Sequence, residues 1–149
     1  MELDLTTTYP RSTHERLLGV AMLPRTIDKG KAAAGGKLGE YHYNCPMDQA
    51  VFAFLGIDHE ALLAVIKDAK SDAEIEAYVK PIIEKKTPAE REAWSTEFVT
   101  KAPGNPESQG YFNELRSAVA PDRTDVIAWA DLLDLDEKRS VPKRNPVSA

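Results

Sequence analysis

The chain is poor in the groups that build disulfide or metal frameworks. It has one cysteine, Cys45, among 149 residues, so neither an internal disulfide nor a zinc site of several cysteines can form. No apolar run is long enough to cross a membrane, and residues 1–20 lack the basic and apolar stretches of a signal peptide. These absences predict a cytoplasmic protein in a reducing compartment, with no membrane partner.

Signals for cofactors and nucleic acids are also missing. The closest two of the three histidines, His42 and His59, are 17 residues apart and cannot share a helix face, so we predict no metal site. There is no glycine-rich phosphate loop and no Gly-x-Ser-x-Gly elbow, and we predict no cofactor. A formal charge of −5 argues against a nucleic-acid partner.

What the chain does have is enough apolar surface for one core. Of its residues, 42% are hydrophobic, and a domain of this length folds without disulfide bonds or metal ions to stabilise it. We predict a single domain over 1–139. The segment 140–149 has two prolines and no aromatic residue, which predicts an extended or disordered tail.

Helix-start signals divide that domain into short elements. Capping boxes and apolar residues at helical spacing predict an all-α fold, a single compact domain of about seven short helices. The predicted helices cover 13–23, 25–34, 45–56, 59–69, 71–83 and 88–100, with one more ending before Pro121 and a last one capped by Thr124. Residues 37–44 alternate in polarity and predict a loop, or at most one short strand or hairpin.

Seven short segments occur together along the chain. They are Tyr-Pro-Arg-Ser (9–12), Leu-Pro-Arg-Thr-Ile-Asp-Lys (23–29), Leu-Gly-Glu-Tyr (38–41), Cys-Pro-Met-Asp-Gln (45–49), Phe-Leu-Gly-Ile (54–57), Asp-Val-Ile-Ala-Trp (125–129) and Asp-Leu-Asp-Glu (134–137). In combination the chain resembles a small bacterial family catalogued only as a domain of unknown function. The resemblance implies a compact bacterial cytoplasmic protein of about this length, and it implies no activity, substrate or cofactor.

The densest group of polar side chains lies in residues 9–49. Arg25, Asp28 and Lys29 can share one helix face, where a bidentate arginine beside a lysine suits an anionic group. We therefore predict a non-enzymatic binding or interaction module, for a small anion or a protein partner. Its ligand-binding residues are predicted to be Arg11, Arg25, Asp28, Lys29, Glu40, Tyr41 and Gln49. The alternative reading is an intrahelical ion pair, or a contact of Arg25 with Glu40 that supports the loop.

Two further hypotheses remain open at this point. The first is a small enzyme, because Cys45 precedes a helix N-terminus and His42 lies three residues upstream as a candidate base. Within the same hypothesis, Asp48 and Glu40 are a candidate acid and base. Against it, a free cysteine often behaves as a small buried hydrophobe. The second is a structural subunit that forms a homodimer through exposed aromatic stripes.

Overall fold

A computed structural model describes residues 3–144, and in that range it contains seven helices and one two-stranded hairpin. The helices are α1 (Leu23–Ala34), α2 (Pro46–Leu55), α3 (His59–Asp68), α4 (Asp72–Ile83), α5 (Pro88–Val99), α6 (Pro106–Val119) and α7 (Trp129–Asp136), and the strands are β1 (Arg16–Leu17) and β2 (Val20–Ala21). The mostly helical class and the number of helices are confirmed. The chain divides into two compact units, Met1–Ser95 and Thr96–Ala149. The predicted domain limits of 1–139 stay a prediction.

Helix α1 is the most buried helix of the first unit. Its first ten residues, from Leu23 to Ala32, are all buried, and it packs against α2, α3 and β1. Pro24 lies in its first turn, where a missing N–H costs nothing. At Gly30 a Cβ atom would lie 2.6 Å from Cδ1 of Ile66 on α3, so the absence of a side chain lets these two helices approach closely.

The predicted helix over 13–23 is wrong, because most of this segment forms the hairpin. Leu18 and Gly19 at its tip have φ of 50° and 84°, the left-handed values that a two-residue type I′ turn requires. The buried Ser95 hydroxyl accepts the Ala21 N–H and donates to the Gly19 carbonyl oxygen, both at 2.9 Å. These tertiary hydrogen bonds stabilise the hairpin, which the local capping signal could not reveal.

Of the alternatives for 37–44, the structure has the loop and not the short strand or hairpin. This segment forms turns between α1 and α2, with left-handed backbone at Gly39 (φ 61°) and Asn44 (φ 66°). Left-handed residues interrupt the extended backbone that strand pairing needs. The hairpin of the described chain lies at 16–21 instead.

The second unit has its own core. Its fully or nearly buried members are Phe112, Val126, Leu132 and Val141. The last helix begins at Trp129 and not next to Thr124, because Arg123 pairs with Asp125 through two side-chain hydrogen bonds of 3.0 Å and holds this segment in a turn.

The predicted tail lies only partly within the described residues, since 145–149 fall outside them. Residues 140–144 have no regular secondary structure, in line with an extended segment. Val141 is nevertheless buried, and the Arg123 guanidinium donates to its carbonyl oxygen at 2.9 Å. Arg144 pairs with Asp131 at 2.8 Å. This part of the tail therefore packs on the second unit.

The Asp125 carboxylate should make the stability of the second unit depend on pH in the acid range. The Arg123 side chain, and then the backbone N–H of Arg144, hold the pKa of Asp125 well below its ordinary value. A lowered folded-state pKa contributes stability that is present above the unfolded value of about 3.9 and is lost as the pH falls below it. We expect Asp125→Asn to lower the melting temperature at neutral pH, and the difference from wild type to shrink below pH about 4.

Circular dichroism melts across pH test this expectation. Asp136→Asn, an exposed substitution on α7, is the control and should change stability by less than about 0.5 kcal/mol. A gap between wild type and Asp125→Asn that stays constant through the acid range would contradict the assignment.

Residues 3–144 contain neither a single membrane-spanning helix nor a cluster of metal ligands. No single helix is long and apolar enough to cross a bilayer, and α2 with α3 passes that test only as a pair bent by 93°. Among residues 3–144, no group of three or more His, Cys, Asp or Glu side chains is placed to hold a metal ion. The cytoplasmic location stays a prediction.

Candidate functional site

Helix α1 carries an unusual number of buried charged side chains. Arg25, Asp28, Lys29 and Lys31 are all at most 7% exposed. Lysine, arginine and aspartate are almost never buried this far unless they are paired, since an unpaired buried charge is very costly. The geometry of the site is therefore set by the partners that other elements bring to these four residues.

The first set of partners comes from α2. The Lys29 ammonium pairs with Oδ2 of Asp48 at 2.7 Å, and the Asp48 side chain is completely buried. Thr26 donates its hydroxyl to Oδ1 of Asp48 at 2.7 Å, and the backbone N–H of Cys45 donates to Oδ2 at 3.2 Å. Both carboxylate oxygens thus have polar partners inside the first unit.

The thiol of Cys45 belongs to the same cluster. Its Sγ accepts a hydrogen bond from Nζ of Lys29 at 3.2 Å, at the N-terminus of α2, and the residue is half-buried. His42 is exposed, and no hydrogen bond joins it to Cys45 within residues 3–144. A lysine, not the expected histidine, is therefore the ionisable neighbour of the sulfur.

A second set of partners joins α1 to the segment before the hairpin. The Arg11 side chain donates two hydrogen bonds to the Asp28 carboxylate, from Nε and Nη2, both at 3.0 Å. The backbone N–H of Arg11 donates to the same carboxylate at 2.8 Å. Nη2 also donates to the Pro24 carbonyl oxygen. Burial lowers the pKa of Arg11, but the Asp28 hydrogen bond and nearby carboxylates together raise it above its ordinary value. Arg11 is thus a fixed, permanent cation.

Arg25 and Tyr41 lie next to this pair. The Arg25 guanidinium donates to the Arg11 carbonyl oxygen at 3.2 Å, and its carbon lies 5.6 Å from the centre of the Tyr41 ring. A guanidinium at that distance from an aromatic ring is stabilised by the ring's negative face. Tyr41 therefore lies against a buried arginine.

The third partner of α1 is Asp72, at the start of α4. Lys31 donates to its carboxylate, and this hydrogen bond is the main reason why the pKa of Asp72 is below its ordinary value. Beside this pair is a cavity of about 40 Å³. It is lined by Arg11, Leu17, Ile27, Asp72, Ile75 and Glu76.

The cavity has an apolar floor and a charged rim. Ile27 and Ile75 are buried, whereas the side chain of Arg11 is 43% exposed and Glu76 is exposed. Within residues 3–144, Nη1 of Arg11 and the carboxylate of Glu76 have no hydrogen-bond partner. The cavity thus combines N–H donors and a carboxylate acceptor with buried apolar side chains.

The remaining predicted site residues lie elsewhere on the first unit. Glu40 and Gln49 are exposed, and Gln49 donates its amide to the Asn44 carbonyl oxygen at 2.9 Å. Of the predicted ligand-binding set, the structure brings Arg11 to the cavity and places Asp28 and Lys29 in ion pairs with different partners. The catalytic roles suggested for Cys45, His42, Asp48 and Glu40 stay predictions.

A family model matches most of the chain, including the seven short segments that the sequence contains. The model of one family, described as Domain of unknown function (DUF5069), matches residues 7–139, which include all seven segments. The chain belongs to the DUF5069 family. This confirms the family resemblance. No curated protein matches the chain. The description of the DUF5069 family names no activity.

Sequence reasoning missed the α4 side of the cavity. In this DUF5069 protein Asp72, Ile75 and Glu76 line the cavity, but in the sequence they follow Ser71, whose pattern only indicates a helix start. Asp72 and Glu76 are one turn apart, which places both carboxylates on one helix face. The spacing of Asp72 and Glu76 could have indicated a pair of carboxylates on one face of α4. It could not indicate that Arg11 lines the same cavity.

Proposed function

We propose that this DUF5069 protein is a non-enzymatic interaction module that binds a partner peptide at the cavity lined by Arg11, Asp72 and Glu76. The observation that carries this proposal is the cavity itself, with an apolar floor and a rim of one cation and two carboxylates. Its 40 Å³ has room for about three water molecules, at the roughly 10–15 Å³ that each one needs, so it accepts the end of a side chain and not a whole cofactor.

The charges of the rim favour a basic side chain. Asp72 is already paired with Lys31 and Arg11 with Asp28, which leaves the Glu76 carboxylate without an opposite charge at hydrogen-bonding distance in the described residues. A lysine of the partner would place its alkyl stem over Ile27 and Ile75 and its ammonium against Glu76. Nη1 of Arg11 would bind a backbone carbonyl oxygen of the same peptide. A free anion is less complementary to this rim.

A peptide titration followed by NMR tests the proposal. The probe is acetyl-Ala-Lys-Ala-amide, and the matched control is acetyl-Ala-Glu-Ala-amide. We expect the lysine peptide to shift the methyl signals of Leu17, Ile27 and Ile75 in a saturable way, with weak affinity and with loss of binding at high salt. The glutamate peptide should not shift them. The absence of shifts with the lysine peptide at millimolar concentration, or equal shifts with both peptides, would overturn the proposed function.

A further inference from the structure

The contact between Cys45 and Lys29 joins two nucleophilic side chains in a fixed geometry. Nζ of Lys29 lies 3.2 Å from Sγ of Cys45, and the lysine is 3% exposed. Among residues 3–144, the polar partners of this ammonium are Sγ and the Asp48 carboxylate. Cys45 as a residue is only partly buried, which leaves a molecule as small as a peroxide a short route to its thiol. The contact bridges the middle of α1 and the start of α2.

We propose that this pair is an oxidative modification site, at which peroxide links Lys29 Nζ covalently to Cys45 Sγ. In the first step the thiol attacks hydrogen peroxide: an S–O bond forms, the O–O bond breaks, and sulfenic acid and one water result. In the second step the unprotonated amine attacks the sulfur, an S–N bond forms, and the sulfenic oxygen leaves as a second water. One peroxide is reduced, and the protein loses two hydrogens.

A second peroxide takes the same link one oxidation level further. The S–N bond and the O–O bond of the peroxide break, S–O and N–O bonds form around one peroxide oxygen, and the other oxygen leaves as water. The linked protein then differs from the reduced protein by one added oxygen and two lost hydrogens. The first product joins Sγ and Nζ directly and the second joins them through the oxygen. Excess thiol returns both to the separate side chains: two thiols reduce the first link and form one disulfide, and four thiols reduce the second and form two disulfides and one water.

The surroundings of the pair supply what this chemistry needs. The sulfur lies beside an ammonium and at the positive end of α2, the electropositive setting in which reactive cysteines are found. The Asp48 carboxylate, 2.7 Å from Nζ, is positioned to accept the proton that the amine must lose before it attacks. Because burial holds the Lys29 side chain in place, its amine already lies next to the sulfur when the sulfenic acid forms.

The fold also sets which lysine reacts. Lys31 lies on the same helix and is buried as well, but its ammonium is bonded to Asp72. The link is therefore specific to Lys29. Because it closes the chain between residues 29 and 45, it restricts the unfolded state, and the oxidised protein should melt at a higher temperature than the reduced one.

Peptide mass spectrometry of the intact chain after peroxide treatment tests this inference. We expect a tryptic species in which the peptide carrying Lys29, uncleaved at that lysine, is joined to the peptide carrying Cys45, with either mass change given above. Thiol treatment should separate them. Cys45→Ser and Lys29→Arg should both abolish the linked species, the second because arginine keeps the charge but supplies no amine.

Other products in the wild-type protein would overturn the inference. These are Cys45 left reduced after peroxide, Cys45 converted to sulfinic or sulfonic acid beside an unmodified Lys29, or a link to Lys31. The experiment needs no binding partner, so its outcome is independent of the peptide titration at the cavity.

Discussion

Asp48→Asn is expected to lower the free energy of unfolding by about 3–5 kcal/mol, because it leaves the Lys29 ammonium buried without its counter-ion. The carboxylate is completely buried and also accepts the Thr26 hydroxyl and the Cys45 N–H, so no other group in the cluster can take over its charge. A domain of this size has a total stability of about 5–15 kcal/mol, so this one atom exchange should remove a large part of it. Urea denaturation followed by circular dichroism measures the loss.

The matched control is Asp68→Asn, the same exchange at an exposed residue at the C-terminal end of α3. It should change the stability by less than about 0.5 kcal/mol. A double variant, Lys29→Met with Asp48→Leu, should recover much of the loss, since a buried ion pair replaced by apolar groups of similar volume is often neutral. If Asp48→Asn is as stable as Asp68→Asn, the buried pair does not form in solution.

Gly30→Val is expected to destabilise the protein by about 2–3 kcal/mol, through overpacking between α1 and α3. Even the first added carbon would lie 2.6 Å from Cδ1 of Ile66 and 3.3 Å from Cε1 of Tyr43. Ile66 is fully buried, and the Tyr43 hydroxyl is fixed by a 2.7 Å hydrogen bond to the His59 carbonyl oxygen. Neither side chain can therefore move away without disturbing the packing around it. Urea denaturation measures the change.

Gly110→Ala provides a control of opposite sign. This glycine lies within α6, and a Cβ there would meet nothing within 4 Å. Alanine should stabilise the helix by about 0.5–1 kcal/mol, because glycine loses more backbone entropy on folding. If Gly30→Val stabilises the protein as well, α1 and α3 do not pack as closely as described here.

Local signals in the sequence identified most helices, but they failed at 13–23 and misplaced the start of the last helix. At 87–90 the capping box is present in the structure: Glu90 accepts the Thr87 N–H, and Thr87 accepts the Glu90 N–H. The same pattern at 12–15 does not start a helix. A cap contributes only about 1 kcal/mol, and the hairpin there is stabilised by the Ser95 hydroxyl, far away in sequence. Capping predicts a helix only where tertiary contacts do not oppose it.

The sequence predicted which residues belong to the candidate site, but not which of their side chains form ion pairs with each other. Arg11, Asp28 and Lys29 were recognised as members of one polar region, because their clustering is visible in the sequence. Helical spacing, however, relates a residue only to neighbours three or four positions away. The partners of Asp28 and Lys29 are Arg11 and Asp48, each on a different element, so the pairing depends on how those elements pack.

The affinity of the lysine peptide for Glu76→Gln, compared with wild type, tests the proposed binding site most directly. Glu60→Gln, an exposed substitution on α3 away from the cavity lining, is the matched control. If the Glu76 carboxylate binds the partner's ammonium, Glu76→Gln should raise the Kd about three- to tenfold and weaken its salt dependence, while Glu60→Gln leaves both unchanged. Equal affinities for wild type and Glu76→Gln would contradict the proposed binding site.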